Sequence, residues 1–354
     1  MVEIRRFDGD LQEVSDLIKA SWGEEYRRKH KQPVMDYSCI DFLEWNLNRP
    51  DGDPDLLIGA YSGGKLVGFL GGFPHKLRYN DEVFRSASVS FVTTHLHYQR
   101  RGIGRSLIRE AIIKIVEKGY YDIIPGLVDE GHVSEKFWIT LSNELNFRYL
   151  KLKRFTFLSK PLDKQKLMEL SYFPLLYKVG LQLFTKKAHA IRKNVDGYEL
   201  ENDTEDICRM LNTSYTPNSL TVDWDEGTLG PLLRSKISNT MFVNQDSRKG
   251  FINYFTIDLL GCRSTPKKHK MTMVDNVRFV NMSFFERHRF VSDFCADQKK
   301  KGSCAITIPT SPVFDMAPFY TNTFLPSGRY HWYCVHDVNR KLGDDVQAGY
   351  LFVR

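Results

Sequence analysis

Apolar and polar positions along this chain follow two periods, one of strands and one of helices, that take turns from the first residues. Val2 to Phe7 alternates as a half-buried strand does, and Leu11, Val14, Leu17, Ile18 and Trp22 then recur at helical spacing behind Asp10, a natural cap. Tyr26 to Gln32 is basic and poor in apolar residues, which predicts a solvated loop, and Tyr37 to Leu47 predicts a second helix. Leu56 to Tyr61 and Leu66 to Leu70 flank Ser62-Gly63-Gly64-Lys65, a hairpin signal. The second of these strands runs on to Tyr79, and Asn80-Asp81 turns the chain into a strand ending at Thr94. Ile103, Leu107, Ile108, Ala111, Ile112, Ile115 and Val116 lie on one helical face, with Gly119 placed to end that helix. Asp122 to Val128 reads as a strand although Pro125-Gly126 interrupts it. A proline removes a ladder donor, so this strand is expected to have parted from its neighbour there. Ser134 to Leu141 predicts a short helix, and Phe147 to Leu158 predicts two short strands that close the unit.

From Gly197 the order recurs in outline. Tyr198 to Leu200 reads as a strand, a helix carries Ile207, Met210 and Leu211, and another falls within Leu229 to Ile237. Thr240 to Val243, Phe251 to Leu260 and Lys270 to Val280 predict three strands, followed by a helix from Ser283 to Lys301 that stops at Gly302. Cys304 to Ile308 is a further strand, Pro312 to Phe324 holds a short helix, and Tyr330 to Val335 begins the closing strands. Between the two copies lies Leu162 to Lys187, apolar with scattered lysines. It reads as a connector packed against both halves, with a membrane-surface helix as the alternative. The division is therefore 1–160, a connector at 161–196, and 197–354, in a mixed-sheet α/β (α+β) class.

Composition narrows the picture. A chain of 354 residues, 42% hydrophobic and 13% aromatic, has the material for about two packed cores. The formal charge of +7 is spread along the chain, which favours anionic small molecules over nucleic acid as partners. Six cysteines (Cys39, Cys208, Cys262, Cys295, Cys304 and Cys334) form no zinc or disulfide pattern, so a reducing compartment is expected. The N-terminus lacks a signal-peptide apolar region and no run approaches the ~20 apolar residues of a spanning helix, so a cytoplasmic location is expected. His95 and His97 share a face but have no third ligand at suitable spacing, and no metal is expected.

The chemistry concentrates at Gln99-Arg100-Arg101-Gly102-Ile103-Gly104-Arg105-Ser106, between the strand ending at Thr94 and the helix after it. Gly102 and Gly104 remove side chains where the helix's first free N–H groups point outward, so backbone donors can close on an anion. A helix terminus alone offers only about 0.3 to 1 kcal/mol per anionic group, and Arg100, Arg101 and Arg105 supply full charges. Walker A needs a Gly-Lys-Ser/Thr run and a dinucleotide fingerprint needs a third small residue where Leu107 stands. Neither matches. The corresponding turn in the second copy, Asn281 to Glu286, contains no glycine, so one cradle per chain is expected.

Gln99, Gly102 and Gly104 match in order the Gln/Arg-x-x-Gly-x-Gly/Ala signature of the GNAT acyltransferases, and the chain resembles a tandem-GNAT protein of the arrangement seen in N-myristoyltransferases. The resemblance implies tandem GNAT-like acyl-CoA N-acyltransferase folds, with acetyl-CoA or another acyl-CoA as co-substrate in the cleft between the Thr94 strand and the Pro125 strand. It places the pyrophosphate on Arg101 to Ser106 beside Gln99 and Arg100, and the pantetheine along Val92, Thr93 and Thr94. Phe137-Trp138 is similar to the aromatic pair on the family's short helix. Many members carry a catalytic glutamate where this chain has Ser88, and the usual leaving-group tyrosine has no clear equivalent, with Trp138 or Ser142 nearby. Ser88, Trp138 and the C-terminal carboxylate of Arg354 are therefore the catalytic candidates, with Glu130 and His95 as other proton acceptors. The expected activity is acetyl transfer to a primary amine of a small molecule or peptide by direct attack, the carbonyl oxygen being held by a backbone N–H near Thr94. A long-chain, myristoyl-like transferase and a non-catalytic coenzyme A-binding protein are the alternatives.

Overall fold

The strand at Lys65–Tyr79, longer than its apolar half suggests, forms an antiparallel hairpin with Glu82–Thr94 and gives the first half of the molecule its frame. The computed structural model describes residues 2–172, 185 and 204–349, apart from 24, 25, 28, 30, 132, 214–216, 246 and 264–266. The calls on Tyr198 to Leu200, on most of the connector and on Arg354 lie outside the described residues.

In chain order the strands of the first half are β1 (Glu3–Arg6), β2 (Val34–Met35), β3 (Leu57–Ser62), β4 (Lys65–Tyr79), β5 (Glu82–Thr94), β6 (Ile123–Asp129) and β7 (Arg148–Pro161). Those of the second are β8 (Ser219–Val222), β9 (Ser238–Gln245), β10 (Arg248–Leu260), β11 (Lys268–Val280), β12 (Ala305–Pro309), β13 (Leu325–Asp337) and β14 (Gln347–Ala348). The α-helices with full bounds before residue 172 are α1 (Leu11–Trp22), α2 (Ile40–Leu47), α3 (Ile103–Glu117), α4 (Val133–Glu144) and α5 (Lys164–Leu170). The later ones are α6 (Thr204–Asn212), α7 (Glu226–Leu233), α8 (Phe284–Lys300) and α9 (Ala317–Thr321). Local chemistry sets their ends. Asp10 and Glu13 form a reciprocal capping box on α1, and Gly119, at φ +68°, turns the chain out of α3.

One mixed sheet runs through both halves in the order β1-β3-β4-β5-β6-β13-β7-β12-β11-β10-β2. The internal repeat is visible in it. In each half an antiparallel hairpin (β4–β5, β10–β11) is followed by a helix (α3, α8) and a strand parallel to the hairpin's second member (β6 to β5, β12 to β11). The halves then exchange strands. β13 lies antiparallel to β6, and β7 lies antiparallel to β12 and to β13.

This exchange corrects two expectations. Phe147 to Leu158 is not a pair of short strands closing the first unit but part of one strand, β7, that crosses to the second half. Tyr330 to Val335 belongs to β13, which completes the first half's sheet instead of its own. Alternation shows that a segment is a strand and which face it buries, but it does not name the neighbour. The basic stretch after α1 is also not simply solvated: Arg27 is buried, and its Nε donates to the Gly261 carbonyl at 3.0 Å across the two halves.

Pro125 sits where the sequence argument requires. β5 and β6 pair only at Ser86 and Ile123, and beyond that point β6 is held by β13 alone, with Pro125 opposite Val335. Apolar layers cover both faces of the first hairpin. Phe7, Val14, Leu17, Leu43, Phe69 and Phe73 form one, and Ile58, Leu70, Ile103, Leu107 and Ala111 the other. Each fully buried side chain of this kind contributes ~1.5–3 kcal/mol of transfer free energy, which holds α3 and its N-terminus rigidly against β4 and β5. No helix among the described residues is long and apolar enough to cross a membrane.

Candidate active site

The site forms where β5 and β6 part. Along β4 and β5 the register slips between Phe69/Thr93 and Gly71/Ser90, so Phe91 and Val92 stand opposite Leu70 alone. This is a β-bulge, and Phe91 takes φ +53°, a left-handed conformation that costs an aromatic residue roughly 1–2 kcal/mol. Such a strained residue persists only where its surroundings over-determine it. Here the Phe91 ring is wedged against Phe73, Phe42 and Tyr37, with centroids at 5.8, 6.0 and 6.4 Å. A bulge leaves one residue of the strand unpaired in the ladder, here at Phe91-Val92. A positive φ at a phenylalanine leaves no mark in a sequence, so this bulge was not foreseen.

At the far end of the gap, Gly102 has φ +81° and starts α3, and the helix's first backbone bond runs from Ser106 N to Gly102 O at 3.0 Å. The N–H groups of Ile103, Gly104 and Arg105 therefore precede the helical ladder. A Cβ at Gly104 would come 3.8 Å from Val92 Cγ1 and 3.9 Å from Thr94 Oγ1, so its hydrogen keeps open the space between cradle and strand end. Gln99 ties the two together through a 3.4 Å bond from Nε2 to the Thr94 carbonyl. The three arginines differ. Arg101 stacks over Tyr98 at 5.1 Å, Arg105 pairs with Glu144 at 2.9 Å, and Arg100 makes no ion pair among the described residues. Arg105 is thus shared with a carboxylate, which the sequence did not reveal because Glu144 lies on another helix.

The equivalent helix start in the second half carries a carboxylate of its own. Ser283 caps α8, Glu286 Oε2 accepts the Ser283 N–H at 2.7 Å, and that bond with Arg248 alongside holds the Glu286 carboxyl down at about 2. A carboxylate already occupies the position a phosphate would need.

Along the bulged strand, where β6 has parted from it, lies a cavity of about 500 Å³ lined by Ser88 to Thr93 of β5 and Pro125, Gly126, Leu127 and Asp129 of β6. Ile18, Trp22, Tyr37 and Phe42 close it from the first half, Phe255 and Met273 from the second. Trp22, Tyr37 and Leu127 are exposed at its margin. The structure thus brings together Ser88, Val92 and Thr93 in the cavity lining, with Thr94 and Gln99 to Ser106 at the cradle. Trp138 is elsewhere: its ring packs 4.9 Å from His336 and beside Phe137 in the cluster of Ile112, Ile115 and Leu141. His336 binds Ser142 Oγ at 2.5 Å, and burial pushes its pKa down to about 4. Glu130 is held ionised by a two-pronged bond to Arg154 at 2.9 and 2.7 Å, and His95 Nδ1 accepts the His97 N–H. The sequence reading missed His75, whose Nε2 lies 3.1 Å from Ser88 Oγ, together with Phe255 and Met273.

Comparison with known proteins agrees with this architecture. Residues 4–121 match the acetyltransferase (GNAT) domain family. The chain is 27% identical over 170 residues to a glycylpeptide N-tetradecanoyltransferase of Drosophila melanogaster, covering 47% of this chain and 34% of that protein. It is 32% identical over 105 residues to one of Mycosarcoma maydis, covering 29% of this chain and 14% of that protein. The matched stretches thus span about a third or less of these relatives. A Saccharomyces cerevisiae N-myristoyltransferase solved with bound myristoyl-CoA superposes with a TM-score of 0.74 at 14% identity, covering 99% of this chain and 85% of that one. The chain carries a GNAT domain at residues 4–121, and its whole fold is the tandem GNAT-like arrangement of the N-myristoyltransferases.

Proposed function

We propose that the protein is an acyl-CoA-dependent N-acyltransferase that uses a long-chain donor and a peptide amine as acceptor. The carrying observation is the cavity. Its walls run from the bulged strand to Phe42, Phe255 and Met273, and its volume of about 500 Å³ is far more than the two carbons of an acetyl group need. The same cleft supports the chemistry. The cradle of Gly102 to Ser106, with Arg100, suits the pyrophosphate, and the splayed edge at Val92 to Thr94 suits an extended pantetheine arm. The unpaired backbone at Phe91-Val92 suits the oxygen that becomes charged when an amine attacks the thioester.

The relatives named above act on glycyl peptides and transfer a tetradecanoyl group, which favours the same class here over acetyl transfer. The test is thiol release from acetyl-, octanoyl- and myristoyl-CoA with a peptide bearing an N-terminal glycine. The expected order of kcat/KM is myristoyl above octanoyl above acetyl. Faster turnover with acetyl-CoA refutes the long-chain reading, and coenzyme A binding without turnover of any donor refutes the enzymatic one.

A further inference from the structure

We propose that one end of the second half, where α8 stops beside the tip between β10 and β11, is a docking surface for an anionic phospholipid bilayer. The inference goes beyond the acyltransferase reading and does not depend on it. Two basic stretches far apart in sequence meet there: Arg263, Lys267, Lys268 and Lys270 at the strand tip, and Lys299-Lys300-Lys301 at the end of α8. The short helix α5 joins them. Its Leu170 carbonyl accepts the Cys262 N–H at 2.9 Å, and Arg263 Nη1 donates to the Met168 carbonyl. On its other side Lys166 Nζ donates to the Gly302 carbonyl at 2.8 Å, just past α8. Arg263 and Lys299 consequently line one cavity of about 650 Å³ with Lys164, Leu162 and Met168.

The charge there is left over. Carboxylates at this end are already matched: Asp163 with Lys166 at 3.9 Å, Glu169 with His269 at 2.8 Å, and Asp297 with Lys301 at 2.7 Å. Asp36 and Asp258 both take Lys268, at 3.3 and 2.9 Å. Among the described residues Arg263, Lys267, Lys270, Lys299 and Lys300 have no carboxylate partner, and the four lysines are exposed. Like charges so gathered repel one another, and an anionic surface brought against them relieves that repulsion.

A nucleic acid would answer the charge but not the cavity. Its walls include the buried Leu162 and the thioether of Met168, which a phosphodiester backbone has no apolar part to meet. Tyr172, just past α5, is 59% exposed, and the Arg263 guanidinium lies 5.0 Å from its ring centre. A tyrosine half in water beside cations is the chemistry of a membrane-interface anchor. Apolar walls flanked by cations suit a lipid whose phosphate the cations hold while its glycerol and first methylenes enter the cavity.

The test is flotation of the full chain with vesicles of phosphatidylcholine, either alone or with phosphatidylserine in a ratio of two to one. The protein should bind the mixed vesicles only, and less as salt rises. Lys299→Gln with Lys300→Gln should lower the partition coefficient about twenty-fivefold, about fivefold for each cation lost at an anionic surface. Lys65→Gln with Lys236→Gln removes the same charge elsewhere and should leave binding within about threefold of the parent, because screening confines the effect to nearby charges. Equal losses in the two double variants mean that net charge alone is read and overturn the surface. Equal binding to both kinds of vesicle overturns it as well. Tighter binding to a single-stranded RNA than to the mixed vesicles, lost in Lys299→Gln with Lys300→Gln, assigns the surface to nucleic acid and overturns the bilayer.

Discussion

Replacing Gly104 by alanine should separate binding from folding. Gly104 lies in the first turn of α3 with ordinary helical backbone, and an added Cβ would rest in normal contact with Val92 and Thr94 at 3.8 and 3.9 Å. Nothing in the protein resists the methyl, and the helix gains from it, by at most ~1 kcal/mol. That is a rise in Tm of roughly 1–3 °C for a chain of this size. The methyl nevertheless stands over the free N–H groups of the cradle and keeps phosphate oxygens from reaching hydrogen-bond distance. Each charged hydrogen bond so lost is worth ~1.5–3 kcal/mol, so Kd for coenzyme A should rise about tenfold or more. Gly102→Ala is the counterpart. Its Cβ would meet nothing within 4 Å, but φ is +81°, so this variant should lose ~1 kcal/mol of stability. Thermal unfolding and isothermal calorimetry of the two variants read both quantities. A Gly104→Ala protein that binds coenzyme A within twofold of the parent, or that melts lower, refutes the reasoning about the cradle.

Arg100→Ala should raise Kd for coenzyme A about tenfold, with the effect shrinking as salt rises, whereas Arg105→Ala should change it less because Glu144 already holds that guanidinium; calorimetry at two ionic strengths compares them. His336 is neutral in the fold, with its pKa pushed down to about 4 by burial, while the unfolded chain takes up that proton near ~6.5. Its contribution to stability is therefore intact above ~6.5 and is lost as pH falls toward 4, by up to roughly 3 kcal/mol; urea unfolding at neutral and acid pH should show a smaller loss in His336→Gln. Tyr333 is fully buried with its hydroxyl unpartnered among the described residues, stacked on Phe155 at 4.2 Å, so Tyr333→Phe should raise stability by about 1 kcal/mol in the same assay.

Elements whose cause is local were legible in the sequence. Asp10 as a cap, the Ser62 to Lys65 turn, Gly102 before α3 and Gly119 after it each owe their conformation to the residue itself. The parting of β5 and β6 was legible as well, because Pro125 has no donor to offer a neighbour. What could not be read arises from pairing. No residue near Arg105 announces Glu144, and His75 meets Ser88 only through the register of two strands. The left-handed Phe91 follows from a slip in that register, and Phe255 and Met273 reach the cavity only once the second half has packed on the first.

The exchange of β7 and β13 has a consequence for how the chain is made. While only the first 160 residues have left the ribosome, β6 has a single paired residue on one side and nothing on the other. The strand that seals it, Leu325–Asp337, is synthesised more than 160 residues later. The cleft beside β6 is therefore finished only after most of the second half has been made. A nascent N-terminal half must carry an open strand edge, of the kind that invites wrong partners, until β13 has been made.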